Sequence, residues 1–323
     1  VASGAATAAT GFARAHRGFA RPLSPAERWF WIIDGISPAN CVARVRVHGA
    51  LPPERLELAA AALVAGSRLL RAVVRGPAGD PWLASLADPV IPVRRVESDD
   101  PDAWQHEIDA ETARPFDVRA GLSRIAVIAG RTGTPAEYHD VILTMSRLIG
   151  DGRSAMVALR ELVEYAAGEP MRAARMPIPP ANELMPIPAR GFWRCFLTRS
   201  DRPTKVVYRV LDAPRLTALR ADCHRAGVTV HGALVESVQR RAAWNIAVID
   251  PGRVELPEQV GALRLSGPAL AASNSCVSAL TVAVTIAHGE LRIGFCYAAG
   301  ILSRAQAEAF ADDTLARLLE RRA

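Results

Sequence analysis

Residues 138–152 read YHDVILTMSRLIGDG, and residues 153–165 continue RSAMVALRELVEY. The first eight form an apolar strand, and the last thirteen read as a helix running through Tyr165. SRLIGDG (146–152) is the loop between them. Asp151 is placed to cap the helix that starts near Arg153, and Gly152 to permit a close backbone turn. The letters GDGRSA (150–155) also match G-x-G-x-x-A, a dinucleotide fingerprint in its proper place between strand and helix. That fingerprint needs a second parallel strand ending in an acidic residue, whereas this helix runs into a proline-rich stretch. Dinucleotide binding is excluded on context.

Upstream, LSPAERWFW (23–31) offers Ser24 as N-cap, Pro25 at the first helical position and Glu27 three residues after the cap, a capping box. CVARVRVHG (41–49) alternates Cys41, Ala43, Val45 and Val47 with Arg44, Arg46 and His48, which predicts a half-buried strand. Residues 53–65 and 102–113 read as helices, and 69–74 and 122–129 as strands. Downstream, 168–192 carries Pro170, Pro177, Pro179, Pro180, Pro186 and Pro188, too many for a regular element. Beyond it TKVVYRV (204–210) is a strand, PRLTALRADCHRAG (214–227) a helix stopped by Gly227, and TVHGALVESVQRRAA (229–243) a helix capped by Thr229. SALTVAVTIAHGELRIGFCY (278–297) is a hairpin turning at 288–290. SRAQAEAFADDTLARLLE (303–320) is an amphipathic helix with a second capping box, Ser303 and Gln306.

Strands and helices mix without a βαβ rhythm, and no repeat of solenoid period occurs, so the fold class is α+β. A chain of 323 residues suits two packed lobes. We expect a loosely ordered leader at 1–21, an N-terminal lobe at 22–167, a proline-rich linker at 168–193 and a C-terminal lobe at 194–323.

Half of the residues are hydrophobic, and no apolar run approaches the roughly 18 residues of a membrane helix. The five cysteines (Cys41, Cys195, Cys223, Cys276, Cys296) are far apart, without C-x-x-C or nearby histidines at ligand spacing, which points to a reduced, cytoplasmic, metal-free protein. The net charge is +6, yet Lys205 is the only lysine and the arginines are scattered rather than striped. That pattern argues against nucleic acid and is compatible with an acidic carrier protein.

In their order, RPLSPAERWFW (21–31), LPPERLELAAAALVAGSRLLRAVV (51–74), RAGVTVHGALVESV (225–238) and SNSC (273–276) with the hairpin and last helix resemble the chloramphenicol acetyltransferase-like superfamily. It includes nonribosomal peptide condensation domains, polyketide-associated acyltransferases and BAHD acyltransferases. The resemblance implies two lobes in a V with a substrate channel between them and the signature His-His-x-x-x-Asp-Gly at its centre. Here Asp151 and Gly152 match that signature, while the two histidine positions hold Ser146 and Arg147. In the family the second histidine is the general base in acyl transfer from a thioester to a hydroxyl or amine. Arginine stays protonated and has no acceptor, so Arg147 cannot take that proton.

The resemblance thus implies an inactive or atypical acyltransferase, or alternatively a binding module that recruits a carrier-protein-bound intermediate or partner enzyme. It implies an acyl-CoA or phosphopantetheine thioester as donor, a small-molecule acceptor, an acidic acyl or peptidyl carrier protein as partner, and no tightly bound cofactor. It gives Asp151 a structural role through an ion pair. Ser273, Asn274 and Ser275 fall where it places a channel-facing segment, with Asn274 able to donate to a carbonyl oxygen and Cys276 read as core. Of the histidines, His139 and Asp140 are adjacent on one strand and point to opposite faces. His231 falls in a first helical turn, where a capped or partly buried role is expected. Between Ala243 and Ser273 the chain is short for the crossover and channel floor that the resemblance implies.

Overall fold

The structure, a computed structural model, describes residues 18–171, 203–239, 246–252, 255–274 and 278–320. The linker expected at 168–193 falls almost wholly outside the described residues, as do 1–17, His16, Cys195, Ser275 and Cys276. Two principal sheets carry the fold. The larger has six strands in the order β10 (Gln259–Val260), β11 (Leu263–Ala272), β2 (Asn40–His48), β7 (Tyr138–Ser146), β6 (Ser123–Gly130) and β5 (Val93–Glu97). The second has four, β8 (Thr204–Leu211), β13 (Glu290–Ala298), β12 (Leu280–Ala287) and β9 (Ile246–Ile249). A small sheet joins β1 (Ala20–Pro22), β4 (Trp82–Ser85) and β3 (Ala72–Arg75). Pairing is antiparallel except for β5 with β6 and β9 with β12. The fold is α+β, as the unbroken mixing of elements predicts.

The capping boxes form as read. Ser24 opens α1 (Pro25–Asp34) with Glu27 reaching back to the cap amide, and Ser303 with Gln306 opens the last helix, α7 (Arg304–Glu320). The β12–β13 hairpin turns at His288 and Gly289, both at positive φ.

Helix α4 (Gly152–Ala166) covers one face of the large sheet, and α2 (Pro53–Gly66) packs against α4. Helix α3 (Ala103–Ala113) covers the other face and also packs on β8 of the second sheet. This corrects the half-buried reading of 41–49. With a helix on both faces β2 is buried along nearly its whole length, and Arg44, only 3% exposed, pairs with buried Asp140 and stacks over Trp104 of α3 at 4.3 Å. An internal charge is tolerable only with such a partner. Burial still lowers the Arg44 pKa to about 10.

The strand expected at 69–74 begins instead with a 3₁₀ turn, Leu69–Arg71. Arg71 donates to the carbonyls of Val64 (3.0 Å) and Ala65 (3.0 Å), the open end of α2, and the chain must turn back to let it reach them.

After α5 (Ala213–Arg225) and α6 (Val230–Gln239), the short segment before Ser273 does make the crossover. It leaves β9 in the second sheet and enters the first as β10 and β11, pairing with β2 across a bulge at Gly267 (φ +55°). Two apolar cores result, one around the large sheet and one around β8, β12, β13 and α5–α7. No helix among the described residues is long and apolar enough to cross a membrane.

Candidate functional site

Strand β7 is buried at all nine positions and ends at Ser146. There the hydroxyl of Ser146 accepts from the Leu148 amide at 3.3 Å and its carbonyl from the Ile149 amide at 3.1 Å, so the serine itself folds the turn. Leu148 and Ile149 anchor the loop in the core, and the Arg147 amide donates to the Ala39 carbonyl at 2.8 Å. Asp151 caps α4: its Oδ1 accepts from the amide and hydroxyl of Ser154, both at 2.8 Å. The carboxylate expected to form an ion pair is used for the helix end.

Gly152 is not at positive φ. A Cβ there would meet Leu270 Cδ2 at 2.8 Å and Ile249 Cγ2 at 2.9 Å, so a larger residue would push the side chains of the crossover strands off the start of α4. We expect Asp151→Ala to cost about 1 kcal/mol. A lowered urea midpoint with unchanged slope would register it, and an unmoved midpoint would rule out the cap as a stabilising contact.

Arg147 is half-buried with its guanidinium over the Phe30 ring of α1, 4.9 Å from the centroid. Among the described residues no carboxylate pairs with it. Nearby, burial pushes the Cys41 thiol up to about 11 even though the Arg147 charge pulls it down. Cys296 is pushed up to about 12, again chiefly by burial. Both stay protonated at neutral pH and are no nucleophiles.

The sheet brings the predicted residues together. Asn40 stands opposite Ser146 on one side, and Ser273 continues from the Ala272–Cys41 pair on the other, so Ser273, Asn40 and Ser146 form a row across three strands roughly 10 Å wide. The Ser273 hydroxyl donates to the Thr112 carbonyl (2.6 Å) and accepts from the Asn40 amide (3.1 Å). With those bonds it has no free donor for a ligand, contrary to its expected substrate-facing role. Asn274 differs: its amide N–H binds Thr204 Oγ1 at 2.9 Å, while both polar atoms of its buried side chain lack partners among the described residues.

Sequence reasoning missed Asn40, whose Nδ2 donates to the carbonyls of Glu111 (2.9 Å) and Arg114 (2.8 Å) and whose Oδ1 has no partner among the described residues, and it missed Phe30 and Glu111. Only the polar residue opening an apolar strand marks Asn40 in the sequence; nothing local marks the other two.

The histidines divide clearly. His139 is fully buried, 3.2 Å from the Leu51 amide, with its pKa lowered to about 4 chiefly by burial; Asp140 on the opposite face binds Arg44 and Arg46. His48 pairs with Ser266 and His288 with the Leu256 carbonyl. His231, expected to be capped or partly buried, is exposed and contacts Asp250. A cavity of about 920 Å³ lies between α4, α5, the segment 250–257 and the β12–β13 turn, lined among others by Arg160, Glu164, Arg220, Asp250 and His288.

No protein-family model and no curated protein matches the chain. Among solved structures it is similar to the first condensation domain of the calcium-dependent antibiotic synthetase in complex with a substrate analogue (TM-score 0.70, 15% identity, 94% of this chain and 96% of that one). It is also similar to polyketide synthase associated protein 5 from Mycobacterium tuberculosis (TM-score 0.65, 12% identity, 93% and 96%). A third similar structure is the epimerization domain from the third module of tyrocidine synthetase B (TM-score 0.61, 12% identity, 94% and 96%). The chain has the fold of these condensation-type domains over nearly its whole length.

Proposed function

We propose that the chain binds an acyl or peptidyl thioester, on coenzyme A or an acidic carrier protein, before the loop 146–152, and that position 147 serves there as an anion contact rather than a base. The observation that carries this reading is Arg147 itself. A half-buried guanidinium rests on Phe30 at the end of β7 with no carboxylate partner among the described residues. It has no lone pair to accept a proton, but it can grip a phosphate or carboxylate through two parallel N–H bonds. The pantetheine arm and the nucleotide of coenzyme A carry such phosphates. The fold supports the choice of ligand, since condensation-type domains match 93–94% of the chain. Asn274, with a buried side-chain amide that has no partner among the described residues, is the group we assign to the thioester carbonyl.

The test is titration with the thioether analogue of an acyl-CoA, which cannot be hydrolysed. Arg147→Ala should raise its Kd about tenfold, equivalent to about 1.4 kcal/mol. The urea midpoint should move little, because the substitution breaks no ion pair and forfeits only a ring contact of about 0.5–1 kcal/mol. Failure of the wild-type chain to bind the analogue would end this reading. An unchanged Kd in the variant would remove Arg147 from it.

A further inference from the structure

We propose that the seam between the two principal sheets, at the Gly267 bulge, binds a tetrahedral oxyanion of the size of phosphate through Arg44, Arg292 and the Tyr208 hydroxyl. The site is separate from the thioester reading and does not depend on it. A Cβ on Gly267 would lie 2.9 Å from Arg44 Nη1 and 3.5 Å from Arg292 Nη2, so the two guanidiniums, one from β2 and one from β13, meet at the bulge. Tyr208 stands opposite Gly294 on β13, and Thr285 stands opposite Arg292 in the hairpin. Tyr208, Arg292 and Thr285 therefore share one face of the second sheet. That face is turned to the large sheet, since Tyr208 packs against the core of the latter and its ring lies 5.1 Å from Trp104, the ring that carries Arg44 at 4.3 Å. Burial raises the pKa of the Tyr208 hydroxyl well above its usual value against the pull of Arg44 and Arg292, so it keeps its proton while standing in the field of both.

Four buried polar atoms of this seam have no partner among the described residues: Arg44 Nε, Arg292 Nε, the Tyr208 hydroxyl and Thr285 Oγ1. A buried donor left unbonded is costly, and so many along one seam call for a polar guest. The charges are unequal as well. Asp140 serves both Arg44 and Arg46, accepting from Arg46 at 3.0 and 2.7 Å, and Glu290 reaches Arg292 only at 3.4 Å from a partly exposed position. Asp109, the other carboxylate that acts on Tyr208, is taken by Lys205 at 3.2 Å and the Val206 amide at 2.9 Å. Three guanidiniums thus share two carboxylates, and an excess positive charge inside a protein favours an anion.

The donors select the shape of that anion. Arg44 commits Nη1 to the Gly267 carbonyl and Nη2 to Asp140, which leaves Nε–H. Donors that arrive from β2, β8 and β13 suit a group with oxygens on several sides. Because Arg44 belongs to the large sheet and Arg292 and Tyr208 to the second, the oxyanion would tie the two sheets together. Arg44 is four residues along β2 from Asn40, about 13 Å from the row that ends at Ser146.

The experiment is a calorimetric titration of inorganic phosphate into the wild-type chain, with sodium chloride of equal ionic strength as reference and the urea midpoint followed in parallel. Phosphate should fill one saturable site and raise the midpoint beyond its value in chloride. Arg292→Gln, a change at a half-buried position, should raise the phosphate Kd about tenfold, and Tyr208→Phe about fivefold. Without phosphate, Tyr208→Phe should keep at least the wild-type midpoint, because the hydroxyl has no partner among the described residues to lose. Arg147→Ala should bind phosphate as the wild-type chain does. The absence of saturable binding above chloride, or a Kd unchanged in both Arg292→Gln and Tyr208→Phe, would overturn the proposal. Loss of phosphate binding in Arg147→Ala would place the anion at the loop 146–152 and overturn it equally.

Discussion

Arg147→His should raise thiol release from acyl-CoA by about 10²- to 10⁴-fold, the contribution of a positioned general base. The position is already built for one. Its amide is fixed to the Ala39 carbonyl, the next two residues are buried anchors, and Phe30 supplies an apolar wall against which a ring can pack. An imidazole would bring the acceptor lone pair that the guanidinium lacks. Arg147→Gln is the control, since an amide cannot take a proton at neutral pH and should give no rise. If the histidine variant still binds the thioether but releases no more thiol than the glutamine variant, the loop does not aim position 147 at the carbonyl.

What the sequence revealed was local. Ser24 and Glu27, Thr229, Ser303 with Gln306, and the turn at His288 each act over a few residues, where spacing alone fixes the hydrogen bonds. The strand–loop–helix at 138–165 was legible for the same reason, and the order of such pieces carried the fold class. Tertiary choices were not. The alternation in 41–49 predicts one wet face, and only the arrival of α3 explains why Arg44 is buried. Strand β11 hid behind Gly267 and Pro268, which break the period and in the structure mark a bulge. The commitment of the Ser273 hydroxyl depends on Thr112 and Asn40, both far away in sequence. The His231–Asp250 contact spans 19 residues and a strand that no periodicity marked.

Glu111→Ala should cost about 3–5 kcal/mol, the loss expected when one partner of a buried ion pair is removed. Glu111 is 1% exposed on α3; its carboxylate accepts from Arg124 Nε and from the Thr144 hydroxyl at 2.9 Å, and it forms an ion pair with Arg114 Nη1 at 3.1 Å. Burial already lowers the pKa of Arg124, and the charge of Glu111 is what opposes it. Without the carboxylate, Arg124 keeps, among the described residues, backbone carbonyl acceptors and the face of the Phe116 ring. The urea midpoint should therefore fall sharply in Glu111→Ala. The double variant Glu111→Leu with Arg124→Leu should recover most of the loss, because it removes the stranded charge along with its partner. A small loss in Glu111→Ala, or a double variant no better than the single one, would show that Arg124 reaches water when its partner is gone.

The consequence reaches the site, because Thr144 lies two residues before Ser146 on β7 and Asn40, opposite Ser146, is held by the Glu111 carbonyl. Thioether affinity should fall together with stability in Glu111→Ala and return with it in the double variant. In Arg147→Ala, by contrast, affinity should fall alone. That separation distinguishes a residue that supports the loop from one that meets the ligand.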